Sequence, residues 1–369
     1  MAVNFAQWGN DLYTGRRSYD IVGKRRVWLG LSALFVVLSV VVLLTKGLTG
    51  SIEFEGGSEF TVTNASTTAQ QPAIDAVNSV LPAETVRVST VGASAVRVQT
   101  QSMTSEQIGQ VRAALAAAYE VEAGDVTSAV IGPSWGKDVS TKALQGVVVF
   151  IVIAMLFMTI YFRTWRMAVA AIGSLLQDLV ITVGIYALVG FAVSPATVIG
   201  LMTILAYAIY DVVVVFDKVR ENTRGVLDQT RSTYAERANL AVNQTMVRSI
   251  NTSVVAALPV AAILFVGAFL LGAGTLRDIS LALFIGIIVS AISSIFIATP
   301  LEVALQSTGE NVKAHTARVL ELRAKAVEES GEEPDAARIA AAGVHAGGRA
   351  QLLPGQHLGH RAQPRRKKK

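Results

Sequence analysis

Cysteine is absent from the 369 residues, which excludes a disulfide framework, a zinc-thiolate site and a thiol nucleophile and leaves the redox compartment undetermined. Histidine is nearly absent. His315, His345, His357 and His360 all lie beyond the last apolar run, so no histidine-based triad or metal site can form in the body of the chain. Without nucleophile–base sets the sequence does not read as an enzyme. Charge is scarce as well: Asp, Glu, Lys and Arg make up 16% of the chain, against about a quarter in soluble domains. With 52% of residues hydrophobic, a soluble globule cannot hide the apolar surface.

What is present instead is a set of apolar runs near the length that crosses a ~30 Å hydrocarbon layer at 1.5 Å per residue. They are Val27 to Thr45, Ala143 to Phe162, Met167 to Gly190, Ala196 to Phe216, Ser249 to Leu271 and Ile279 to Thr299. The first follows Lys24-Arg25-Arg26. It exceeds the ~7–15 apolar residues of a signal peptide and lacks a small-residue cleavage site, so it reads as an uncleaved anchor. Basic residues gather at Arg16 to Arg26, at Arg163 and Arg166, along Lys218 to Arg248 and in the tail. The positive-inside rule makes these segments cytoplasmic, with both termini inside and the segment between the first two spans outside. The net charge of +5 therefore sets orientation and does not point to nucleic acid.

Between Gly47 and Lys142 the pattern changes. Ile52 to Thr63 reads as a strand and Gln71 to Val80 as a helix; Thr85 to Val91 and Ala95 to Thr100 alternate around a Gly92-Ala93-Ser94 turn as a hairpin. Thr104 and Gln107 form a capping box for a helix whose inner face is Ile108, Val111, Leu115 and Tyr119, and Val126 to Ile131 closes the set as a strand. The order β-α-β-β-α-β is that of a ferredoxin-like sandwich. The expected fold is thus a polytopic α-helical membrane protein of six transmembrane helices with one ferredoxin-like α+β extracytoplasmic domain between the first and second spans. The expected division is a cytoplasmic segment 1–26, a first helix 27–45, the extracytoplasmic domain 46–142, a five-helix bundle 143–305 and a largely disordered basic cytoplasmic tail 306–369. Within the tail, Val312 to Glu329 can form a surface helix; its end, Arg365-Arg366-Lys367-Lys368-Lys369, suits anionic lipid or a docking partner such as the ribosome.

Two acids interrupt the runs. Asp178 lies about 11 residues, or ~17 Å, along the third, too deep for a short side chain to reach water. Asp211 sits nearer the cytoplasmic end of the fourth. A carboxylate at such depth costs roughly 2.5–3.5 kcal/mol on insertion. A helix-packing hydrogen bond, a structural ion pair and a proton or ion relay each account for that cost. Arg248 opens the fifth run on the side where the fourth ends, so antiparallel neighbours can bring it to Asp211; the alternative is an arginine snorkelling to the headgroups. Ala282, Gly286, Ser290 and Ser294 form a small-residue face on the sixth run, for packing inside the bundle or against another subunit. Gly132-Pro-Ser-Trp-Gly136-Lys137 is one residue short of the phosphate-loop spacing and lacks its Ser or Thr, so it reads as a turn between the domain and the second span.

Four segments together resemble the SecF branch of the SecD/SecF protein-export family, in the resistance-nodulation-division superfamily. Ile52-Glu-Phe-Glu-Gly56-Gly57 is similar to the family's Asp-Phe-Lys-Gly-Gly, with Glu53 for Asp, and Gly132-Pro133-Ser-Trp-Gly136 to its Gly-Pro-x-x-Gly. Gln177-Asp178-Leu-Val-Ile-Thr182 resembles His-Asp-x-x-x-Thr, with Gln for His. The run from Asp211 through Asp217, Arg220, Glu221 and Asn222 follows Asp-x-x-V-V-x-D-R-x-R-E-N.

The resemblance implies that Asp211 is a proton-responsive acid and Arg248 its basic partner. Asp178, beside a glutamine, is a weaker proton-coupling candidate with a packing or gating role as the alternative. It also implies SecD as companion, since the chain holds one copy of a span pattern that such transporters use twice. Further implied partners are the SecYEG channel, YajC, the YidC insertase, the unfolded polypeptide in transit and membrane lipid. The implied activity is preprotein export across the bacterial cytoplasmic membrane, driven by the proton gradient without a cofactor. A self-sufficient proton-coupled small-molecule exporter and a structural membrane scaffold remain as alternatives.

Overall fold

Six helices in a computed structural model of the chain, which describes residues 5–82, 86–91, 94–267 and 274–330, are long and apolar enough to cross a membrane. They are α2 (Arg25–Thr45), α6 (Pro133–Phe162), α7 (Trp165–Val189), α8 (Pro195–Thr223), α9 (Tyr234–Phe265), and a last span made of α10 (Gly274–Ser293), a π-helical turn (Ser294–Ala298) and α11 (Thr299–Gln306). Two peripheral helices complete the helical part, α1 (Phe5–Tyr13) and α12 (Glu310–Ser330).

About half of α7, α8 and the last span is buried inside the chain, whereas α2, α6 and α9 leave most of their apolar stretches uncovered. Phe35 and Val37 on α2, Val152 and Ile160 on α6, and Val255 and Leu258 on α9 are exposed. Such continuous apolar faces need a nonaqueous neighbour, and lipid supplies it.

The small-residue face of the last span is turned inward. A Cβ on Gly286 would lie 2.6 Å from Ile204 Cγ1, and one on Gly200 2.9 Å from the Ala282 Cβ. Glycine at these crossings lets α8 and α10 approach backbone to backbone, so the face packs within the bundle.

The segment after α2 runs β1 (Thr49–Gly50), α3 (Ile52–Glu55), β2 (Gly57–Val62), α4 (Gln71–Val80), β3 (Arg87–Val91), β4 (Ala95–Thr100), α5 (Ser105–Ala118) and β5 (Val126–Ile131). Strands β2 to β5 form one antiparallel sheet in the order β3-β4-β2-β5. Alternation puts Phe60 and Val62 of β2 and Val96 and Val98 of β4 into a core with Val77 of α4 and Val111, Leu115 and Tyr119 of the α5 region. The capping box holds: Gln107 N–H donates to Thr104 Oγ1 at 3.3 Å, and Thr104 N–H to Gln107 Oε1 at 2.9 Å. Residues 92 and 93 of the hairpin turn, and Thr85, lie outside the described residues.

Several boundaries differ from the sequence reading. The expected strand from Ile52 to Thr63 breaks into α3 and β2, because Gly56 (φ 78°) and Gly57 (φ 150°) take conformations closed to other residues, and a Cβ on Gly57 would lie 2.4 Å from the Thr100 carbonyl. The Gly132 to Lys137 stretch is not a turn. Gly132 caps α6 and Pro133 opens it, so the second helix begins well before Ala143. Likewise α8 continues past Phe216, and α9 starts at Tyr234 behind its own capping box, Thr233 with Glu236. Hydropathy ends at the first charge, but a helix continues while its buried face does; Tyr234, Ala238, Leu240, Ala241 and Val242 are buried in this extension. The last residues of the fifth run, 268–271, lie outside the described residues.

Both ends are tied to α9. Asn239 Oδ1 accepts the amides of Ile21 and Val22 at 3.0 Å each, and Asn243 Oδ1 that of Tyr19 at 2.8 Å. On the other side Arg323 of α12 clasps Glu236 with both guanidinium nitrogens, at 2.6 and 2.8 Å, and His315 Nε2 bonds the Gln229 carbonyl at 2.7 Å. His315 therefore sits in a docked helix. The remaining histidines and the terminal basic run fall in 331–369, outside the described residues.

Candidate functional site

Helices α8 and α9 run antiparallel and meet along a polar seam in an otherwise apolar contact. The Tyr207 hydroxyl donates to Ser253 Oγ at 3.2 Å; one turn along, Ser249 Oγ donates to Asp211 Oδ1 at 2.9 Å; farther on, Asn222 Nδ2 donates to Gln244 Oε1 at 2.9 Å. Tyr207 and Asp211, and Ser249 and Ser253, are spaced four apart, which sets each pair on one helix face. Asp211 is 2% exposed and its Oδ2 has no hydrogen-bond partner. This oxygen is the least satisfied feature of the seam.

Arg248 does not meet Asp211 in this structure. Its neighbour Ser249 takes that place, and Arg248 is exposed, lining a cavity of about 940 Å³ at the ends of α8 and α9 together with Asp217, Lys218, Arg220, Glu221 and Arg224. Successive helix positions point about 100° apart, so Arg248 and Ser249 cannot both face the acid at one rotation of α9. Bringing the guanidinium inward requires α9 to turn or shift.

Asp178 occupies a different interface. It is 5% exposed on α7 with neither carboxylate oxygen in hydrogen-bond geometry, while Thr182 Oγ1 donates to its backbone carbonyl at 2.7 Å. Towards the last span, Ser174 and Ser293 share a 2.9 Å hydrogen bond. Gln177 points elsewhere: it accepts a hydrogen bond from Ser32 of α2, and its Nε2 is buried without a partner. Asp178 and Gln177 thus serve two separate helix contacts.

The remaining motif residues build the walls of the cavity and the joint above the span. Tyr161 of α6 donates to Asp217 at 2.7 Å, Lys218 pairs with Glu221 at 2.9 Å, and Arg220 faces the cavity. Gly56 and Gly57 make the bend between α3 and β2. A Cβ on Gly136 would lie 2.5 Å from the Phe54 carbonyl, so α3 seats directly on the first turn of α6. Gly132 meets nothing closer than Ser134 Oγ at 4.0 Å and caps the helix. Among the described residues no three acids or histidines converge as a metal-ligand set.

Sequence reasoning missed three participants. Ser249 enters the sequence reading only as the first residue of the fifth apolar run. Tyr234 and Glu302 lay outside the apolar runs, yet Glu302 is fully buried and accepts a 2.6 Å hydrogen bond from the Tyr234 hydroxyl. The signal that could have found it is the apolar Leu301, Val303 and Leu305 around Glu302, which carry the last span on past its first charge, where charge-free windows stop.

Residues 110–308 match the family described as protein export membrane protein SecD/SecF, C-terminal. Protein translocase subunit SecF of Streptomyces coelicolor is 46% identical over 318 residues, covering 86% of this chain and 84% of that protein. The SecF subunit of Mycobacterium tuberculosis is 42% identical over 344 residues, covering 88% and 77% respectively. Among solved structures, SecDF of Thermus thermophilus, a translocon-associated membrane protein, superposes with a TM-score of 0.69 at 28% identity over 79% of this chain. This chain spans 39% of that one.

Proposed function

Because the chain belongs to the SecD/SecF family of protein-export membrane proteins, we propose that it works in Sec protein translocation as its SecF relatives do, coupling the proton gradient to a late step of preprotein export. The observation that carries the coupling is Asp211: a carboxylate enclosed between two spans, with one oxygen held by Ser249 and the other unpartnered, one residue from an arginine in a polar cavity. With Arg248 outside, Ser249 is the partner of the acid; with Arg248 turned inward, the carboxylate would gain a cation beside it. A movement of α9 is thereby exchanged for uptake and release of one proton. One charge crossing the membrane potential supplies about 2.3 kcal/mol per 100 mV, so export of a long chain takes repeated cycles.

In this reading the chain lies in the cytoplasmic membrane with both termini inside. The four-stranded sheet with α4 and α5 is a ferredoxin-like domain on the outer side, where it handles the emerging polypeptide. SecD supplies the second half of the superfamily's paired architecture, and SecYEG, with YajC and YidC, the channel surroundings. The short parallel pairing of β1 with β6 (Ala192–Val193), between α7 and α8, supports transmission from the bundle to that domain. Asp178 acts as a packing or gating residue on the α7 contact.

The decisive experiment is Asp211→Asn, assayed by late-stage preprotein release from vesicles bearing a proton gradient together with a SecD-type companion. Loss of gradient-dependent release, with the chain still inserted, is expected. Unchanged release would reject the coupling role.

A further inference from the structure

Glu302 is a buried acid that Asp211 and Arg248 do not involve. It sits on α11, fully enclosed; its Oε1 receives the Tyr234 hydroxyl at 2.6 Å, and its Oε2 has no partner. One turn back on the same helix, Thr299 Oγ1 is also buried without a partner. Helix α11 packs on α2, α7, α8 and α9. The charged groups those elements carry towards this end are Arg25 and Arg26, Arg166, Asp217, Lys218 and Arg220, and Glu236 and Arg237, and Glu302 forms an ion pair with none of them. A permanently ionised carboxylate without a cation and with a bare oxygen is a poor structural choice, whereas a group that can take up a proton escapes the cost of the buried charge.

The route for the proton is on the same residues. Tyr234 lines the 940 Å³ cavity, and its buried hydroxyl touches Glu302, so this one residue reaches from the wall of the open space to the enclosed carboxylate. Tyr234 is also the first residue of α9, the helix that carries Arg248 and Ser249. We propose that Glu302 exchanges a proton with the cavity through the Tyr234 hydroxyl, and that its ionisation state sets how firmly the first turn of α9 is clamped to α11. On loading, a cavity hydronium gives its proton to Tyr234 Oη and departs as water, while the original hydroxyl proton passes to Glu302 Oε1. The bond that remains is between neutral groups, about half as strong as the charge-assisted one. Protonation therefore loosens α9 at its start, the movement that the exchange of Ser249 for Arg248 at Asp211 demands. This rests on the proton-coupling reading for its purpose but not for its test.

Infrared difference spectra of the full chain in lipid nanodiscs, between acidic and alkaline buffer, read protonated carboxyl groups directly. A carbonyl-stretch band that survives in Asp178→Asn/Asp211→Asn, disappears in Glu302→Gln and shifts in Tyr234→Phe is expected. A band unaffected by Glu302→Gln overturns the proposal, as does one that Tyr234→Phe leaves in place; Tyr234→Phe keeps the carboxylate and serves if the Gln variant does not fold. Should the band behave as expected while Asp211→Asn leaves export intact, the Glu302 site stands and the coupling role of Asp211 falls.

Discussion

Ser249 Oγ lies 2.9 Å from Asp211 Oδ1 and donates to it, so the residue that touches the buried acid is the one next to the arginine and not the arginine itself. The two side chains sit at adjacent positions on α9, and in the described arrangement Ser249 holds the carboxylate. The proposed exchange would put Arg248 in its place.

Ser249→Ala is expected to remove the hydrogen bond that the Asp211 carboxylate receives among the described residues and to destabilise the folded chain by about 1–3 kcal/mol, the cost of leaving a buried polar group unmet. Thermal unfolding in detergent measures this, with Ser249→Thr recovering most of the loss. In a double-mutant cycle with Asp211→Ala the two losses should fall short of additivity by more than 0.5 kcal/mol, roughly the floor for groups in contact. Additive losses would mean the bond contributes nothing.

Arg248→Ala is expected to behave oppositely. The side chain is exposed and pairs with no described acid, so its removal should change stability by no more than about 0.5 kcal/mol. Gradient-dependent export should nevertheless be lost. Arg248→Lys keeps a charge but not the planar fork, and partial export is expected from it. A large fall in melting temperature for Arg248→Ala would show that the arginine is structural here.

The spans, the βαββαβ order and the positions of Asp178, Asp211 and Arg248 were legible because each leaves a local signal: a charge-free window, an alternation, an acid where none is cheap. What was not legible depends on rotation and on continuation. Whether Arg248 or Ser249 faces Asp211 is decided by the angle of α9, which spacing does not contain. That Gln177 bonds Ser32 while its neighbour Asp178 faces another contact needs the positions of two other helices. Glu302 was hidden because a helix can carry a buried face past its first charged residue, and Gly57 because its positive φ answers to the Thr100 carbonyl on a separate strand.

Gly286→Val tests the inward packing of the last span. Its first added carbon would meet Ile204 at 2.6 Å, within a contact that already holds Gly200 against Ala282. Overpacking of about 1–3 kcal/mol is expected, with α8 pushed from α10 and the Asp211 seam disturbed in turn. Gly109→Val, at a position with open space on α5, is the control and should leave the melting temperature within the scatter expected of an exposed helix substitution. Equal behaviour of the two variants would place the Gly286 face against lipid or another subunit.

Asp178 and Gln177 separate a proton role from a packing role. Neither oxygen of Asp178 is in hydrogen-bond geometry, so Asp178→Asn replaces a costly carboxylate with a neutral group of the same shape, and the chain is expected to be as stable as before or slightly more so. Export should then fall only in proportion to any change in helix packing, far less than in Asp211→Asn. Gln177→His introduces the histidine of the His-Asp-x-x-x-Thr segment that this stretch resembles, yet Gln177 faces α2 through Ser32 and not Asp178. It is therefore expected to disturb the α2–α7 contact without altering the pH profile of export. A shifted profile in Gln177→His, abolished by adding Asp178→Asn, would instead show that residues 177 and 178 act as one proton site across two helix contacts.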